Sequence, residues 1–211
     1  ILKKLDHPNV VKILEFYTTE NYYFIVTDFC EHGELYNKIN KRYNENQLAV
    51  LFYQVFSGLC YLHECNIVHR DLKLENILIS EIENDATNNA EYFWIKIIDF
   101  GTAKIFSKNK NEQAVVGSSY YIAPEVLKKD YNEKCDTWSA GVLLYILLIG
   151  FPPFNGKTQD DIFNSIQRGT INTQLPEWNK LSSLTKDFLL QLLCNDSTLR
   201  LSAQECLKHP W

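Results

Sequence analysis

A carboxylate, an ammonium and a carboxamide fall within one short stretch of this chain, His69-Arg70-Asp71-Leu72-Lys73-Leu74-Glu75-Asn76. A second carboxylate follows in Asp99-Phe100-Gly101, and Ala123-Pro124-Glu125 closes the series. Asp71 is placed to accept, or at least to orient, the proton of a hydroxyl. Lys73, two residues on in an extended segment, can neutralise charge on a transferring phosphate. Asn76 offers a neutral oxygen and Asp99 a carboxylate to a hard cation, which prefers oxygen ligands. Transfer of a phosphoryl group from Mg-ATP to a hydroxyl needs that inventory, and positioning contributes more than deprotonation when the transition state is loose. A lone Asp is more often a turn former. Three ordered motifs argue against that reading here.

These side chains need elements to hold them. Residues 10–17 and 22–29 are rich in β-branched and aromatic residues, with Thr18-Thr19-Glu20-Asn21 between them, and read as a β-hairpin. Residues 1–5 look like the tail of a helix stopped at Asp6-His7-Pro8. A short helix is expected over 34–41. A long amphipathic one over 46–65 follows from Leu48, Leu51, Phe52, Val55, Leu59 and Leu62, and it ends just before the His69 motif. Residues 77–79 and 95–98 read as short strands. The stretch 80–91 between them, with four acids and three asparagines, reads as a solvated loop or disordered insert, where a docking site has little support. Helices are expected over 135–149, 159–168 and 184–194. A last one begins at Ser202, with Glu205 completing a capping box. Strands first and helices later predict an α+β fold with a mostly helical second part.

Composition narrows the class. The chain has 211 residues, 45% of them hydrophobic, enough for one large core or two modest ones. A net charge of −5 argues against nucleic acid as a partner. Six cysteines form no CxxC pair and read as small buried hydrophobes in a reducing compartment, cytoplasmic or nuclear. The longest apolar run, 141–154, is broken by Gly150, Pro152 and Pro153, so no membrane span is expected.

On its three motifs the chain resembles the eukaryotic protein kinases, and Lys73 resembles the serine/threonine type. The resemblance covers essentially the whole chain. It implies a bilobal kinase fold with the end of the N-lobe and the hinge in 1–30 and the C-lobe in 31–211. It implies ATP and Mg²⁺ as cofactors, with Asn76 and Asp99 holding the metal and protein Ser/Thr hydroxyls as substrates. By resemblance, Tyr23-Phe24-Ile25-Val26-Thr27-Asp28-Phe29-Cys30 runs into the hinge. Backbone groups of Asp28 and Cys30 then meet the adenine edge, Thr27 is a small gatekeeper and Leu78 lies under adenine. Glu34 matches the acid that touches the ribose and a basic substrate residue, and Glu75 can assist, so substrates with Arg or Lys near the target are expected. Arg70 is the residue that pairs with a phosphate or an acid of the activation segment, 99–125. That segment offers Ser107, Ser118 and Ser119 as hydroxyls and Glu112 as a built-in acid, which leaves the need for phosphorylation open. Ser118 stands where the family usually has a Thr that bonds the catalytic Asp and Lys. Asp136 is expected to hold the catalytic loop from below, and Glu125 with Arg200 to form a buried ion pair.

Gly33-Glu34-Leu35, the stretch 120–127, Gly150-Phe151-Pro152-Pro153-Phe154 and His209-Pro210-Trp211 are similar to the calcium/calmodulin-dependent kinase group, and most to the calcium-dependent protein kinases of plants and protists. A calcium-sensing module or calmodulin is the implied regulator, and no EF-hand loop occurs in these residues. The eight glycines form no G-x-G-x-x-G. The Gly-rich loop, its partner lysine and the paired glutamate are therefore expected before residue 1. The chain reads as an N-terminally truncated domain, inactive by itself and with an unpaired sheet edge. A pseudokinase scaffold is the rival reading, disfavoured because Asp71, Asn76 and Asp99 are all present. A small-molecule kinase is disfavoured by Ala123-Pro124-Glu125 and the helices after it.

Overall fold

The structure is a computed structural model that describes residues 5–38, 43–87, 90–106 and 112–211. In chain order its elements are β1 (Ile13–Thr18), β2 (Tyr23–Thr27), α1 (Glu45–Glu64), β3 (Ile67–Val68), β4 (Ile77–Asp85), β5 (Ala90–Ile97), β6 (Lys104–Ile105) and α2 (Pro124–Leu127). Five helices complete it: α3 (Lys134–Ile149), α4 (Gln159–Arg168), α5 (Pro176–Lys180), α6 (Ser183–Leu192) and α7 (Ala203–Cys206). The strands form antiparallel pairs, β1 with β2, β3 with β6 and β4 with β5. The α+β expectation holds. Most of the expected helix tail, 1–4, lies outside the described residues.

The core forms around two helices. Along α1 the predicted stripe, Leu48 through Leu62, is buried, and the helix starts with a capping box. Asn44 Oδ1 accepts from the Gln47 amide and Gln47 Oε1 from the Asn44 amide, each at 2.9 Å. The α3 helix is buried almost all round, as a helix apolar on every side must be. It stops at Gly150, whose φ of 101° is left-handed and suits a glycine C-cap. The helix expected over 34–41 is a 3₁₀ turn at Leu35–Lys38, and 39–41 lie outside the described residues. A capping box at Ser202 and Glu205 is present, although α7 is one turn long.

Within the expected loop 80–91, residues 80–85 and 90–91 are strand, 86–87 are a turn, and 88–89 lie outside the described residues. The ladder of β4 and β5 continues past a register shift at Ile79/Glu81, through Glu81 opposite Trp94, Ile82 opposite Phe93 and Glu83 opposite Tyr92, to Asp85 opposite Ala90. Polar composition hid a period-two pattern. Phe93 is buried and Ile82 packs on the core, while Glu81 and Glu83 lie on the exposed face. Gln54 of α1 pins this hairpin, its Nε2 donating to the Phe93 carbonyl at 2.7 Å and its Oε1 accepting from the Ile95 amide at 3.1 Å.

Glu125 and Arg200 form the expected buried pair. Arg200 Nη1 donates to Glu125 Oε1, Nη2 donates to Oε2 at 2.8 Å, and the guanidinium lies 4.9 Å from the Trp138 ring centroid. All six cysteines are free thiols, and burial pushes those of Cys135 and Cys206 well up. Among the described residues no helix is long and apolar enough to cross a membrane.

Candidate functional site

Asp136, fully buried near the start of α3, organises the loop that carries the first motif. Its Oδ1 accepts from the Arg70 amide at 2.8 Å, and its Oδ2 from the His69 amide and His63 Nε2, each at 2.9 Å. Burial alone would raise its pKa. The hydrogen bond from His63, its charge and the His69 amide reverse that, leaving the carboxyl below its usual range. His69 is buried as well. The Asp71 amide donates to its Nδ1 at 3.3 Å, so its Nε2 carries the proton and donates to the Ile98 carbonyl at 2.8 Å. These contacts hold two unusual backbones. Arg70 (φ 69°) and Asp99 (φ 60°) are both left-handed, a state that persists where surrounding bonds over-determine it.

Asp71 is held from several sides. Ser118 donates to Oδ1 from its amide at 2.9 Å and from its hydroxyl at 2.8 Å. Lys73 Nζ donates to Oδ2 at 2.9 Å and to the Ser118 hydroxyl at 3.3 Å. Asn76 Nδ2 donates to the Asp71 carbonyl at 2.8 Å. The bond to Asp71 raises the Lys73 pKa, burial opposes it, and the charges of Asp71, Glu75 and Asp99 add to the rise. Lys73 therefore remains an ammonium. Gly117 allows Ser118 this approach. A Cβ there would lie 2.8 Å from the Arg70 carbonyl oxygen, and its φ is 113°.

The second motif meets the first through the Ile98 amide, which donates to the Asn76 carbonyl at 2.9 Å and sets Asp99 beside the loop. Asp99 is exposed, and its Oδ1 accepts from the Gly101 amide at 3.1 Å. With Nδ2 of Asn76 bonded to Asp71, the Asn76 side-chain oxygen is the atom left for a cation. No cluster of three or more His, Cys, Asp and Glu suited to a metal occurs among the described residues. One carboxylate and one amide oxygen, completed by phosphate oxygens and water, suit a cation such as Mg²⁺.

Of the residues expected on the nucleotide side, Cys30, Glu34 and Leu78 meet at one turn. Gly33 accepts from the Ile79 amide at 2.9 Å, and Glu34 forms an antiparallel bridge with Leu78. Cys30 is buried, and its carbonyl accepts from the Gly33 amide at 3.4 Å. The Asp28 amide donates to the Lys12 carbonyl at 3.2 Å, and its own carbonyl accepts from the Thr27 hydroxyl at 3.2 Å. Its carboxylate accepts from the Lys12 amide at 3.2 Å and pairs with Lys96 at 3.0 Å. Thr27 is exposed at the end of β2.

Arg70 gathers the activation segment. Its Nε donates to the Thr102 carbonyl at 2.6 Å, and its Nη1 lies 3.9 Å from Glu112 Oε2. Lys104 completes the group 2.7 Å from Glu112 Oε1. Glu112 thus stands where the built-in acid was expected, whereas Ser107 lies outside the described residues. Ser119 accepts from Gln159 at 3.0 Å, away from Asp71. Glu75 keeps a buried oxygen, Oε2, with no protein partner. Sequence reasoning missed His63, Gly117 and Tyr131. Gly117 had a signal in its place beside Ser118, while the other two are lone residues with distant partners.

The model for the protein kinase domain matches residues 1–211. Calcium-dependent protein kinase 4 of Plasmodium berghei is 45% identical over the whole chain, which covers 39% of that protein. Calcium-dependent protein kinase 3 of Plasmodium yoelii yoelii is 43% identical, and calcium-dependent protein kinase 5 of Plasmodium berghei 40%, again over the whole chain and 38% and 37% of theirs. The chain thus spans less than two-fifths of the length of these relatives. The motifs, the loop they build around Asp71 and the match along the full chain agree that it belongs to the protein kinase domain family.

Proposed function

We propose that the protein containing this domain transfers the γ-phosphate of Mg-ATP to Ser and Thr hydroxyls of protein substrates. The observation that carries the reading is the Asp71 carboxylate fixed between Ser118 and Lys73, with Asn76 behind it. So held, Asp71 orients the substrate hydroxyl and takes its proton as the new O–P bond forms. Lys73, charged at neutral pH, faces the phosphate in transfer. Asn76 and Asp99 hold the cation, which supplies charge neutralisation to the phosphates when bound. The turn around Cys30, Gly33 and Leu78 takes the adenine, with the carbonyl of Asp28 and backbone of Cys30 at its edge and Glu34 at the ribose.

A basic residue on the substrate suits Glu34 and Glu75. Calcium control is proposed from the names of the relatives and is assigned to a sensing region outside residues 1–211. Glu112 beside Arg70 and Lys104 supports an activation segment ordered without a phosphate.

The test uses full-length protein, ATP and a pair of peptides that differ by Arg against Ala upstream of a single Ser. Transfer favouring the Arg peptide and rising with calcium over chelator is the expected result. Equal rates on both peptides remove the basic preference, and rates unaffected by chelator remove calcium control.

A further inference from the structure

Tyr131 lies between α2 and α3, far in sequence from both the catalytic loop and the middle of the activation segment, yet it touches both. It is 1% exposed, with its ring centroid 6.1 Å from that of Phe106. Its backbone pairs with Glu112 in both directions, the Glu112 amide donating at 2.9 Å and the Tyr131 amide at 3.3 Å. Its hydroxyl donates to the Ala114 carbonyl at 2.8 Å and accepts from Arg70 Nη1 at 3.2 Å. A phenol has one proton to give and lone pairs to receive, so one oxygen makes both bonds.

This places a joint at a weak point. Residues 113–115 are exposed and have little packing to fix them, and Ser118 follows only four residues after Ala114. Arg70 precedes Asp71, and the same guanidinium already holds the Thr102 carbonyl and faces Glu112. Two stretches of the segment, its start at Thr102 and its middle at Glu112, therefore meet at Arg70, joined there by Tyr131 from the turn after α2. Fixing Ala114 limits where Ser118 can reach, and Ser118 orients Asp71 by two bonds.

We infer that Tyr131 is a positioning residue for phosphoryl transfer, its hydroxyl tethering the activation segment to Arg70 so that Ser118 stays on Asp71. The inference rests on the kinase reading above. It is tested in full-length protein with Tyr131→Phe, which keeps the ring and the backbone pairing and removes only the hydroxyl.

Loss of a hydrogen bond to a charged group inside the site predicts a fall of about 10-fold in kcat/KM for the peptide, with KM for ATP within about twofold of wild type. Amide exchange is expected to quicken over 113–118 while α3 keeps its protection. Because the effect passes through Ser118, Tyr131→Phe is expected to cost less in a Ser118→Ala background, which keeps only the amide bond to Asp71, than in wild type. Wild-type kinetics in Tyr131→Phe overturn the inference. So do additive losses in the double variant, or exchange that quickens equally in α3, which mark a merely structural role. An Asp71→Asn control separates the two claims. If wild type is no faster than that control, the kinase reading fails and takes this inference with it. If wild type is fast and Tyr131→Phe equals it, only the tether fails.

Discussion

Around Asp71, the amides of His69, Arg70 and Asp71, its own carboxylate and the side chains of Lys73 and Asn76 all have partners inside the domain. Along β2, by contrast, Tyr23, Phe24, Ile25 and Val26 are all at least 40% exposed. The β1–β2 hairpin is held by its own ladder and by a few links at its base: Val11 to Ile97, Asp28 to Lys12 and Asp28 to Lys96. Within the described residues, the loop around Asp71 is thus built into a buried scaffold that fixes positions from several directions, and the hairpin is held by local pairing. A change in the first region should reach stability and chemistry together. One in the second should stay local.

The contrast is broken most forcefully at Glu125 and Arg200. Arg200→Ala leaves a buried, uncompensated carboxylate, and about 3–5 kcal/mol of domain stability should be lost in chemical denaturation. A cost near that of a surface ion pair would mean the scaffold is looser than its contacts indicate.

Asp136→Asn comes next. One amide oxygen cannot accept from His63, His69 and Arg70 together, so a loss of about 2–3 kcal/mol is expected, along with most of the activity. The same residue sets a pH dependence. Its folded-state pKa is lowered, so its contribution is full above the ordinary carboxylate range and fades as pH falls through the folded value. The thermal midpoint of wild type should therefore drop more steeply below about pH 4 than that of the Asn variant.

Ser118→Ala sharpens the comparison from the chemical side. It removes one of two bonds to Asp71 Oδ1 and keeps the amide bond. A fall of about 10-fold in kcat with stability within about 1 kcal/mol is expected from steady-state kinetics and thermal melts. The smallest effect belongs to the hairpin. Tyr22 is 67% exposed just before β2, and Tyr22→Ser should change stability by no more than about 0.5 kcal/mol and leave kcat unaltered.

Legibility followed the range of the interactions. The bounds 159–168 match α4 because a capping Thr158 and a glycine at Gly169 mark both ends locally. The start of α1 was set one residue late because Asn44, a cap with Gln47 three residues on, went unread. Residues 80–85 and 90–91 resemble a loop in composition, since alternating acids on an exposed strand face leave little apolar pattern. In the site, Asp71, Lys73, Asn76, Asp99, Ser118 and Asp136 were readable because motifs order them along the chain. Tyr131 and His63 were not. Their partners lie 61 and 73 residues away, and a single Tyr or His carries no pattern that announces such contacts. Glu112 was legible only as an acid within the segment, and its pairing with Lys104 came from the fold.

The most direct test of the account is phosphate transfer from labelled Mg-ATP by full-length protein, beside Asp71→Asn and Asp99→Asn variants shown to be folded. The account predicts clear transfer by wild type and a fall of at least about 100-fold in each variant. Transfer that survives Asp71→Asn undiminished, or folded wild type that transfers nothing, would contradict it.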